Sequence, residues 1–242
     1  MKILQLNIWG GKLGKQISEL IVRERPDIIC FQEAVEMSGK ENFFVATLAE
    51  LTEGTDYTHQ FFSPSFAFKH MNRKAHWGNA IVSKLPLTAT EDFFTRGVFV
   101  DDFDLLEGDY NLRVLQRATV LHNGKPLHIL NHHGHHVREH KLGNEETMRQ
   151  CTMIAAYIQT LTGDIVLTGD FNLSPGSESL ALLNRLLTNQ CIAHNVSTTR
   201  TVLTHKKEVC DYIFTSSTLT TKNFAVLPDI TSDHAALVIE IE

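Results

Sequence analysis

The sequence contains 242 residues, of which 43% are hydrophobic and 21% are charged, a composition typical of a globular protein with a large core. Its formal net charge is −6, from 22 basic and 28 acidic residues. This charge argues against a protein that coats long nucleic acid nonspecifically, because such binding favours a basic surface. It leaves room for an enzyme with a local basic groove.

The first part of the chain predicts alternating strands and helices. Apolar residues at helical spacing indicate two helices, and Pro26 ends the first. The predicted elements are a strand ending at Asn7, a helix marked by Ile17, Leu20 and Ile21, a strand at 27–33, a helix marked by Phe44, Leu48 and Leu51, an extended stretch at 57–68, a polar loop at 69–77 and a strand at 78–83.

The rest of the chain continues the alternation after an irregular region at 84–112, whose acidic run predicts a solvated loop. Asn123-Gly124 is a strong hairpin signal between two strands. The predicted elements are strands at 113–122 and 126–132, a helix at 145–161, a strand ending at Asp170, a helix from Ser177 to about Leu187, and strands at 209–215, 222–227 and 235–241. Strands with interleaved helices predict an α/β fold.

Cysteine spacing and hydropathy predict the compartment. The four cysteines lie in apolar runs without CxxC spacing, which predicts buried free thiols and a reducing environment. The pattern of the first residues predicts no signal peptide, and no run of about 18 apolar residues predicts a membrane span. We therefore expect a cytoplasmic protein without a membrane span. No surface stripe indicates an oligomeric state.

The most informative motif is Gly169-Asp170-Phe171-Asn172, at the end of an apolar strand. Side chains two residues apart on a strand point the same way. Asp170 could then handle a proton or a metal while Asn172 donates a hydrogen bond to an oxyanion. Gly, Asp and Asn are also common turn residues. The motif gains weight from Asn7, Glu33 and His234, which also lie at predicted strand ends.

Seven short motifs together resemble the endonuclease/exonuclease/phosphatase superfamily of metal-dependent phosphoester hydrolases. In chain order they are Leu6-Asn7-Ile8-Trp9, Phe31-Gln32-Glu33-Ala34, Gly78-Asn79-Ala80-Ile81-Val82-Ser83, Asn131-His132-His133-Gly134, Gly169-Asp170-Phe171-Asn172, Asp211-Tyr212-Ile213-Phe214 and Ser232-Asp233-His234. The resemblance implies a four-layer α/β sandwich, with two mixed β-sheets packed face to face and helices outside. A site that combines both ends of the chain predicts a single domain over residues 1–242.

The expected chemistry assigns metal ligands first. Phosphodiester hydrolysis without a covalent intermediate needs a hard cation, an activated water and donors for the growing phosphoryl charge. Magnesium prefers oxygen ligands, so we expect Mg²⁺, with Mn²⁺ as a substitute. Glu33 is predicted as the principal ligand and Asn7 as a ligand or its neighbour. Asp233 could bind the metal or position water.

The remaining roles concern water and phosphate. Asp170 is predicted to orient or deprotonate the attacking water, and Asn172 to donate to a nonbridging phosphate oxygen. The resemblance implies that His234 contacts the phosphate while Asp211 accepts its other ring proton, an arrangement that favours the imidazolium. It also aligns His133 with a histidine of the catalytic pocket.

The histidine-rich segment allows a rival hypothesis. Six histidines lie between residues 128 and 140, namely His128, His132, His133, His135, His136 and His140. His132/His136 and His136/His140 have a spacing that could bind zinc or nickel on a helix. Gly134 and the preceding strand argue against such a helix. Apart from His133, these histidines are predicted to lie on the pocket rim, and a solvated loop is the alternative for His135, His136 and His140.

Three further residues are candidate substrate contacts. Asn79 lies where the resemblance places a substrate-facing loop. Trp9 could stack on a base or cover the core. Arg113 and Arg117 lie at i, i+4 on one predicted strand, and one of them, Arg113, is a candidate to reach the substrate.

Departures from known branches narrow the function. The turn after Asn7 and the Asn131-His132-His133-Gly134 segment differ from those of abasic-site endonucleases, and Val209-Cys210-Asp211-Tyr212 differs from the matching segment of inositol-phosphate 5-phosphatases. The leading hypothesis is a nuclease that acts on DNA or RNA. The alternatives are a hydrolase for a small phosphorylated metabolite or lipid headgroup, and an inactive binding module with the same fold.

Overall fold

The computed structural model describes residues 1–37, 45–70 and 73–242. Its strands form two six-stranded sheets. The first sheet contains β1 (Lys2–Asn7), β2 (Ile28–Met37), β3 (His59–His70), β4 (Arg73–Ser83), β11 (Thr221–Val226) and β12 (Leu237–Ile241). The second contains β5 (Ala89–Arg96), β6 (Arg113–His122), β7 (Lys125–His133), β8 (Asp164–Asp170), β9 (Thr188–Asn189) and β10 (Asp211–Thr215).

Both sheets are mixed. The spatial orders are β11-β12-β1-β2-β4-β3 and β5-β6-β7-β8-β10-β9. β1 runs parallel to β2 and antiparallel to β12, while β7 runs parallel to β8. The strands nearest the two ends of the chain are therefore hydrogen-bonded neighbours, which brings His234 close to Asn7.

The sheets pack face to face around one apolar cluster. Ile3, Ile28 and Ile81 of the first sheet pack in the same buried cluster as Leu130 and Leu167 of the second. The helices are α1 (Gly14–Glu24), α2 (Leu48–Leu51), α3 (Glu145–Ile158), α4 (Glu178–Asn184) and α5 (Gln190–Ala193), with a 3-10 turn at Trp9–Gly11. Residues of α1 pack on the first sheet and residues of α3 on the second. The predicted fold of two packed mixed sheets with helices is confirmed.

A row of buried amides crosses the interface between the sheets. Gln5 Nε2 donates to Gln32 Oε1 at 2.8 Å, and Gln32 Nε2 donates to Asn131 Oδ1 at 2.6 Å. Asn131 Nδ2 in turn donates to Gln116 Oε1 at 3.0 Å. All four side chains are fully buried, so their polar groups depend on one another for hydrogen bonds.

Several predicted elements differ from the structure. The prediction of a polar loop at 69–77 is wrong, because β3 and β4 extend through most of this segment as a hairpin. Met71 and Asn72 lie outside the described residues. Alternation of buried Ala75 with exposed Lys74 gives this segment its strand character. The irregular region at 84–112 contains β5. The short β9 and α5 were not predicted.

Other predictions agree with the structure. The hairpin between β6 and β7 turns at Asn123 and Gly124, which both have positive φ. Leu48 and Leu51 lie in α2, whereas Phe44 lies outside the described residues. The four cysteines are buried free thiols. Within the described ranges, every helix is too short or too polar to cross a bilayer.

Candidate active site

The polar strand-end residues meet at one edge of the sandwich. Asn7, His133 and Asp170 are the last residues of β1, β7 and β8. Asp211 is the first residue of β10 and pairs with Asp170. His234 lies just before β12, beside β1. Both sheets therefore contribute side chains to the same place.

Glu33 reaches this edge because β2 contains a bulge. The pairing of β2 with β4 shifts between Phe31 and Ala34, and Glu33 has a φ of 58°. This left-handed conformation is uncommon for a residue with a side chain, and strain of this kind often occurs at functional sites. Burial raises the pKa of Glu33, and the hydrogen bond from Asn7 offsets part of that effect.

One amide joins the two central carboxylates. Asn7 Nδ2 donates to Glu33 Oε1 and to Asp170 Oδ2, each at 3.2 Å. Asn7 Oδ1 accepts a hydrogen bond from the Trp9 backbone N–H at 3.1 Å. The side-chain amide is thereby oriented with its donor toward the carboxylates, so Asn7 supports the two carboxylates in this structure.

Asp170 and Asn172 are positioned by a turn. β8 ends at Asp170, and Asn172 follows in a left-handed conformation with φ 55°. The Asn172 backbone N–H donates to Asp170 Oδ1 at 2.9 Å, and Asn172 Nδ2 donates to Gly134 O at 3.3 Å. Both side chains line the same pocket, as predicted, but strand periodicity is not the reason.

Positive groups keep Asp170 ionised. Burial alone would raise its pKa, but the cationic His234, Arg200 and Lys141 together lower it below the ordinary value. Asp170 Oδ2 lies 3.7 Å from His133 Nε2 and 3.6 Å from His234 Nε2. Its carboxylate is therefore an anionic acceptor at neutral pH.

His234 and Asp211 form a buried pair. Nδ1 of His234 lies 3.0 and 2.9 Å from the two carboxylate oxygens of Asp211. Thr199 Oγ1 donates to Asp211 at 2.7 Å and Gln5 Nε2 donates at 3.3 Å. Burial lowers the pKa of His234, but Asp211 and Asp170 outweigh burial and raise it to about 9. Nε2 of this ring contacts the guanidinium of Arg200, which opposes part of that rise.

His133, unlike His234, is neutral. Arg113 donates to its Nδ1 at 3.1 Å. Because a guanidinium has no acceptor, Nδ1 must be unprotonated, and the neutral ring carries its proton on Nε2. Burial and Arg113 lower the pKa of His133 well below the ordinary value. The site therefore contains one cationic and one neutral histidine.

Two cationic residues of the site were missed in the sequence. Arg200 contacts Nε2 of His234, and its other terminal nitrogen donates to Cys210 Sγ at 3.3 Å. Lys141 Nζ donates to Asn172 Oδ1 at 2.7 Å. Both residues are more than nine-tenths buried. They lie on loops between elements, and no short motif marks them.

The predicted substrate contacts have different positions. Trp9 and Arg113 line the pocket, and Lys12 Nζ lies 3.6 Å from the centre of the Trp9 ring. Arg117 instead pairs with Glu91 at 2.9 Å. Asn79 does not line the pocket: its side chain is 2% exposed and Nδ2 donates to Val114 O at 3.0 Å.

The histidine-rich segment does not form a helix. Residues 134–140 follow β7 without regular structure, so the i, i+4 spacing does not align the rings as the zinc or nickel hypothesis required. His136 lines the pocket with His133. His132 is 1% exposed and packs against Phe171, with ring centres 5.4 Å apart.

The oxygen-rich side of the pocket suits a hard cation. Glu33 and Asp170 both accept from the Asn7 amide, and partial burial raises the pKa of Glu33. Asp170 also belongs to a second group, with Asp211 and His234, whose possible ligand atoms lie within 4.8 Å of one another. Asp211 and His234 Nδ1 already bind each other, however. Glu33 and Asp170, which both line the pocket, could therefore hold a hard cation through their carboxylate oxygens.

The pocket has a volume of about 420 Å³, within the usual range for small-ligand sites. Besides the residues above, its lining includes Trp77, Tyr110, Asn111, Arg138, Lys206 and Asp233. Asp233 Oδ2 lies 3.6 Å from Arg200 and 3.9 Å from His234 Nε2. Trp77 and Tyr110 both contact Phe66, with ring centres 6.1 and 5.7 Å away. The lining thus combines aromatic and cationic side chains.

Solved structures share the fold at low sequence identity. A family protein from Leptotrichia buccalis C-1013-b has a TM-score of 0.71 and 18% identity, covering 100% of this chain and 99% of that chain. The Bacteroides thetaiotaomicron mannosyl-6-phosphatase Bt3783 has a TM-score of 0.73 and 16% identity, with coverage of 100% and 99%. The human Nocturnin catalytic domain with bound sulfate has a TM-score of 0.70 and 17% identity, with coverage of 100% and 93%.

The sequence comparison identifies the family. No curated protein matches the chain. A sequence model of the Endonuclease/Exonuclease/phosphatase family matches residues 4–234, a range that includes Asn7, Glu33, Asp170 and His234. The chain therefore belongs to the Endonuclease/Exonuclease/phosphatase family, whose enzymes are metal-dependent phosphoester hydrolases.

Proposed function

We propose that this protein is a Mg²⁺-dependent phosphodiesterase that hydrolyses nucleic acid, with Mn²⁺ as a substitute metal. The observation that carries the proposal is the convergence of Glu33, Asp170, Asn172 and the His234–Asp211 pair on one pocket. Hydrolysis of a phosphoester requires a cation site, a water acceptor and phosphate donors. These groups supply all three functions around one pocket. Their assembly also argues against an inactive binding module.

The metal would be held by Glu33 and Asp170, and it would supply Lewis-acid stabilisation of the phosphoryl oxygens. Asn7 holds both carboxylates in place. Asp170, ionised at neutral pH, accepts a hydrogen bond from the attacking water and orients it toward phosphorus. The cationic His234 neutralises charge on the phosphate. Asn172 donates from Nδ2 to a nonbridging oxygen.

Arg200 completes the phosphate site. One terminal nitrogen of its guanidinium contacts His234 Nε2. Both nitrogens are hydrogen-bond donors when His234 is protonated. An anionic oxygen at that point would satisfy both donors. The neutral His133 carries its proton on Nε2, 3.7 Å from Asp170 Oδ2 and 3.9 Å from Glu33 Oε1, and can donate to an oxygen bound between these groups.

The pocket walls support a nucleic-acid substrate. Trp9, Trp77 and Tyr110 provide aromatic surface beside cationic side chains, the combination that binds single-stranded nucleic acid by stacking and charge. A small phosphoester is the second candidate, because the pocket volume fits a small ligand and one structural neighbour is a mannosyl-6-phosphatase.

We also propose a cytoplasmic location and a single catalytic domain. All four cysteines are buried free thiols, which supports a reducing compartment such as the cytoplasm. The pairing of β1 with β12 supports one catalytic domain formed by residues 1–242.

Hydrolysis of single-stranded DNA, RNA and bis-p-nitrophenyl phosphate tests the proposal. Each substrate is assayed with Mg²⁺, with Mn²⁺ and with chelator. We expect metal-dependent cleavage of at least one polymer, and cleavage of the small diester alone would favour the second candidate. No cleavage of any substrate would contradict the enzyme assignment.

The variant Asp170→Asn tests the role of the water acceptor. We expect kcat to fall by about 10²–10⁴-fold, the usual contribution of a positioned acid or base. Asp164→Asn is the matched control, since Asp164 lies at the opposite end of β8. Retained activity in Asp170→Asn would overturn the assignment of Asp170.

A further inference from the structure

The pocket contains cations that the proposed chemistry does not use. Lys12, Arg138 and Lys206 line it together with Arg113 and Arg200. Arg113 is engaged by His133 and Asn111, and Lys12 lies over Trp9. Within residues 1–37, 45–70 and 73–242, no carboxylate forms an ion pair with Arg138 or Lys206. Two cationic heads are therefore available for an anion.

Lys206 lies close to other positive groups. Burial, together with the charges of Lys141 and Lys206, lowers the pKa of His136 to about 4. Burial also lowers the pKa of Lys141, with contributions from Arg200 and Lys206. Like charges that line one pocket repel each other unless an anion compensates them.

The environment of Arg200 also indicates an anion-binding site. Its side chain is 3% exposed, and its buried Nε has no hydrogen-bond partner among the described residues. A buried guanidinium with an unused donor is costly unless a ligand completes it. One phosphate at Arg200 and His234 accounts for these two residues, but leaves Arg138 and Lys206 without a partner.

We propose that the pocket has a second anion site, formed by Arg138 and Lys206, and that the substrate has a second phosphate group beside the scissile one. This inference rests on the proposed function and specifies its substrate class. Arginine and lysine are the usual phosphate-binding side chains. The second phosphate can belong to the next nucleotide of a strand or to a small bisphosphate, because both present the same group.

Paired substrates that differ by one phosphate test the inference. The strand arm compares thymidylyl-thymidine with its 5′-phosphorylated form, and the small-molecule arm compares fructose 6-phosphate with fructose 1,6-bisphosphate. In one of these pairs we expect the additional phosphate to raise kcat/KM by about tenfold or more, as a charge-assisted contact would. The arm that shows the preference identifies the source of the second phosphate. No preference in either arm would overturn the inference.

Variants locate the effect. Lys206→Ala and Arg138→Ala should each reduce the preference ratio by about tenfold or more. Lys207→Ala is the matched control, because Lys207 is the exposed neighbour of Lys206 and does not line the pocket. A ratio that is unchanged in Lys206→Ala and Arg138→Ala would exclude these residues as the second site.

Phosphate binding provides a readout that does not need turnover. Calorimetric titration of the Ca²⁺-loaded protein with inorganic phosphate should give two sites per chain, and the double variant Lys206→Ala/Arg138→Ala should retain one. A single site in the unmodified protein would overturn the inference. Hydrolysis without a second site would leave the proposed function intact, whereas two sites without hydrolysis would contradict only the proposed function.

Discussion

The orientation of Asn172 depends on Lys141. Lys141 Nζ donates to Asn172 Oδ1 at 2.7 Å, which leaves Nδ2 as the group that can donate to a ligand. One N–H of Nδ2 is directed to Gly134 O at 3.3 Å. The second is left for the pocket. Without a cation at Oδ1, the amide could rotate and present its oxygen to an anionic phosphate.

Replacement Lys141→Met should therefore reduce kcat more than it changes KM. We expect kcat to fall by about 10- to 100-fold, since one misdirected donor to a phosphoryl oxygen costs an effect of this order. Steady-state kinetics measure the change, and circular dichroism checks the fold. Lys141→Arg should restore part of the rate, because it retains a donor to Oδ1. A rise in KM with unchanged kcat would instead indicate simple charge attraction.

Only some of the site residues could be predicted from the sequence. Asp170, Asn172 and His234 lie in short motifs at strand ends, where the chain order of the elements brings them together. Lys141 and Arg200 lie on loops, and only tertiary structure directs them to the pocket. Asn79 lies within β4, and its side chain is directed between the sheets toward Val114. A motif predicts the strand, but the face on which a side chain lies follows from packing.

At the scale of elements, the bulge in β2 was beyond prediction. The sequence predicts a strand end at Glu33, but β2 continues to Met37. Its register shift after Phe31 and the positive φ of Glu33 turn this carboxylate into the site. The sequence does not predict the β3–β4 hairpin for a different reason: Lys69, His70 and Lys74 are polar residues typical of loops. Packing of Phe66 and Phe68 against Phe103 stabilises that hairpin as a sheet edge.

The row of buried amides determines how the two sheets meet. Asn131 Nδ2 of β7 lies 2.9–3.2 Å from Phe31 O, Ala80 O and Gln116 Oε1, which share its two protons, and Asn131 Oδ1 accepts from Gln32 Nε2 at 2.6 Å. Phe31 and Ala80 belong to the first sheet and Gln116 to the second. One side chain therefore satisfies polar groups of both sheets.

Replacement Asn131→Ala should destabilise the protein by about 3 kcal/mol or more, because several buried donors and acceptors lose their partner at once. Urea unfolding measures the change. Asn223→Ala is the control: Asn223 is exposed on β11, and a surface change of this kind is usually within about 0.5 kcal/mol of neutral. A loss below about 1 kcal/mol in Asn131→Ala would show that water or neighbouring groups replace the amide.

At the scale of the whole molecule, the active site is an interface between sheets. The first sheet supplies Asn7 and Glu33, and the second supplies His133 and Asp170. Asn7 Nδ2 connects Glu33 to Asp170 across the interface. The site therefore exists only when the sheets are packed, and its buried ionisable groups link catalysis to the stability of the fold.

Buried histidines should make that stability depend on pH in two directions. Burial lowers the pKa of His132 to about 3, against about 6.5 in an unfolded chain. Its contribution to stability is present above about pH 6.5 and is lost as the pH falls toward about 3. The raised pKa of His234, about 9, acts oppositely: its contribution is complete below about pH 6.5 and is lost as the pH rises through about 9.

The variant His132→Gln should separate these effects in the metal-free protein. In the unmodified chain, His132 alone should lower the free energy of unfolding by about 2 kcal/mol between about pH 7.5 and about pH 5. We therefore expect the drop measured by urea unfolding to be smaller by that amount in His132→Gln. His140→Gln, at an exposed position, should leave the drop unchanged. An equal drop in His132→Gln and the unmodified protein would mean that His132 takes up a proton in the folded state. Such uptake would require the ends of β7 and β8, where His133 and Asp170 also lie, to open.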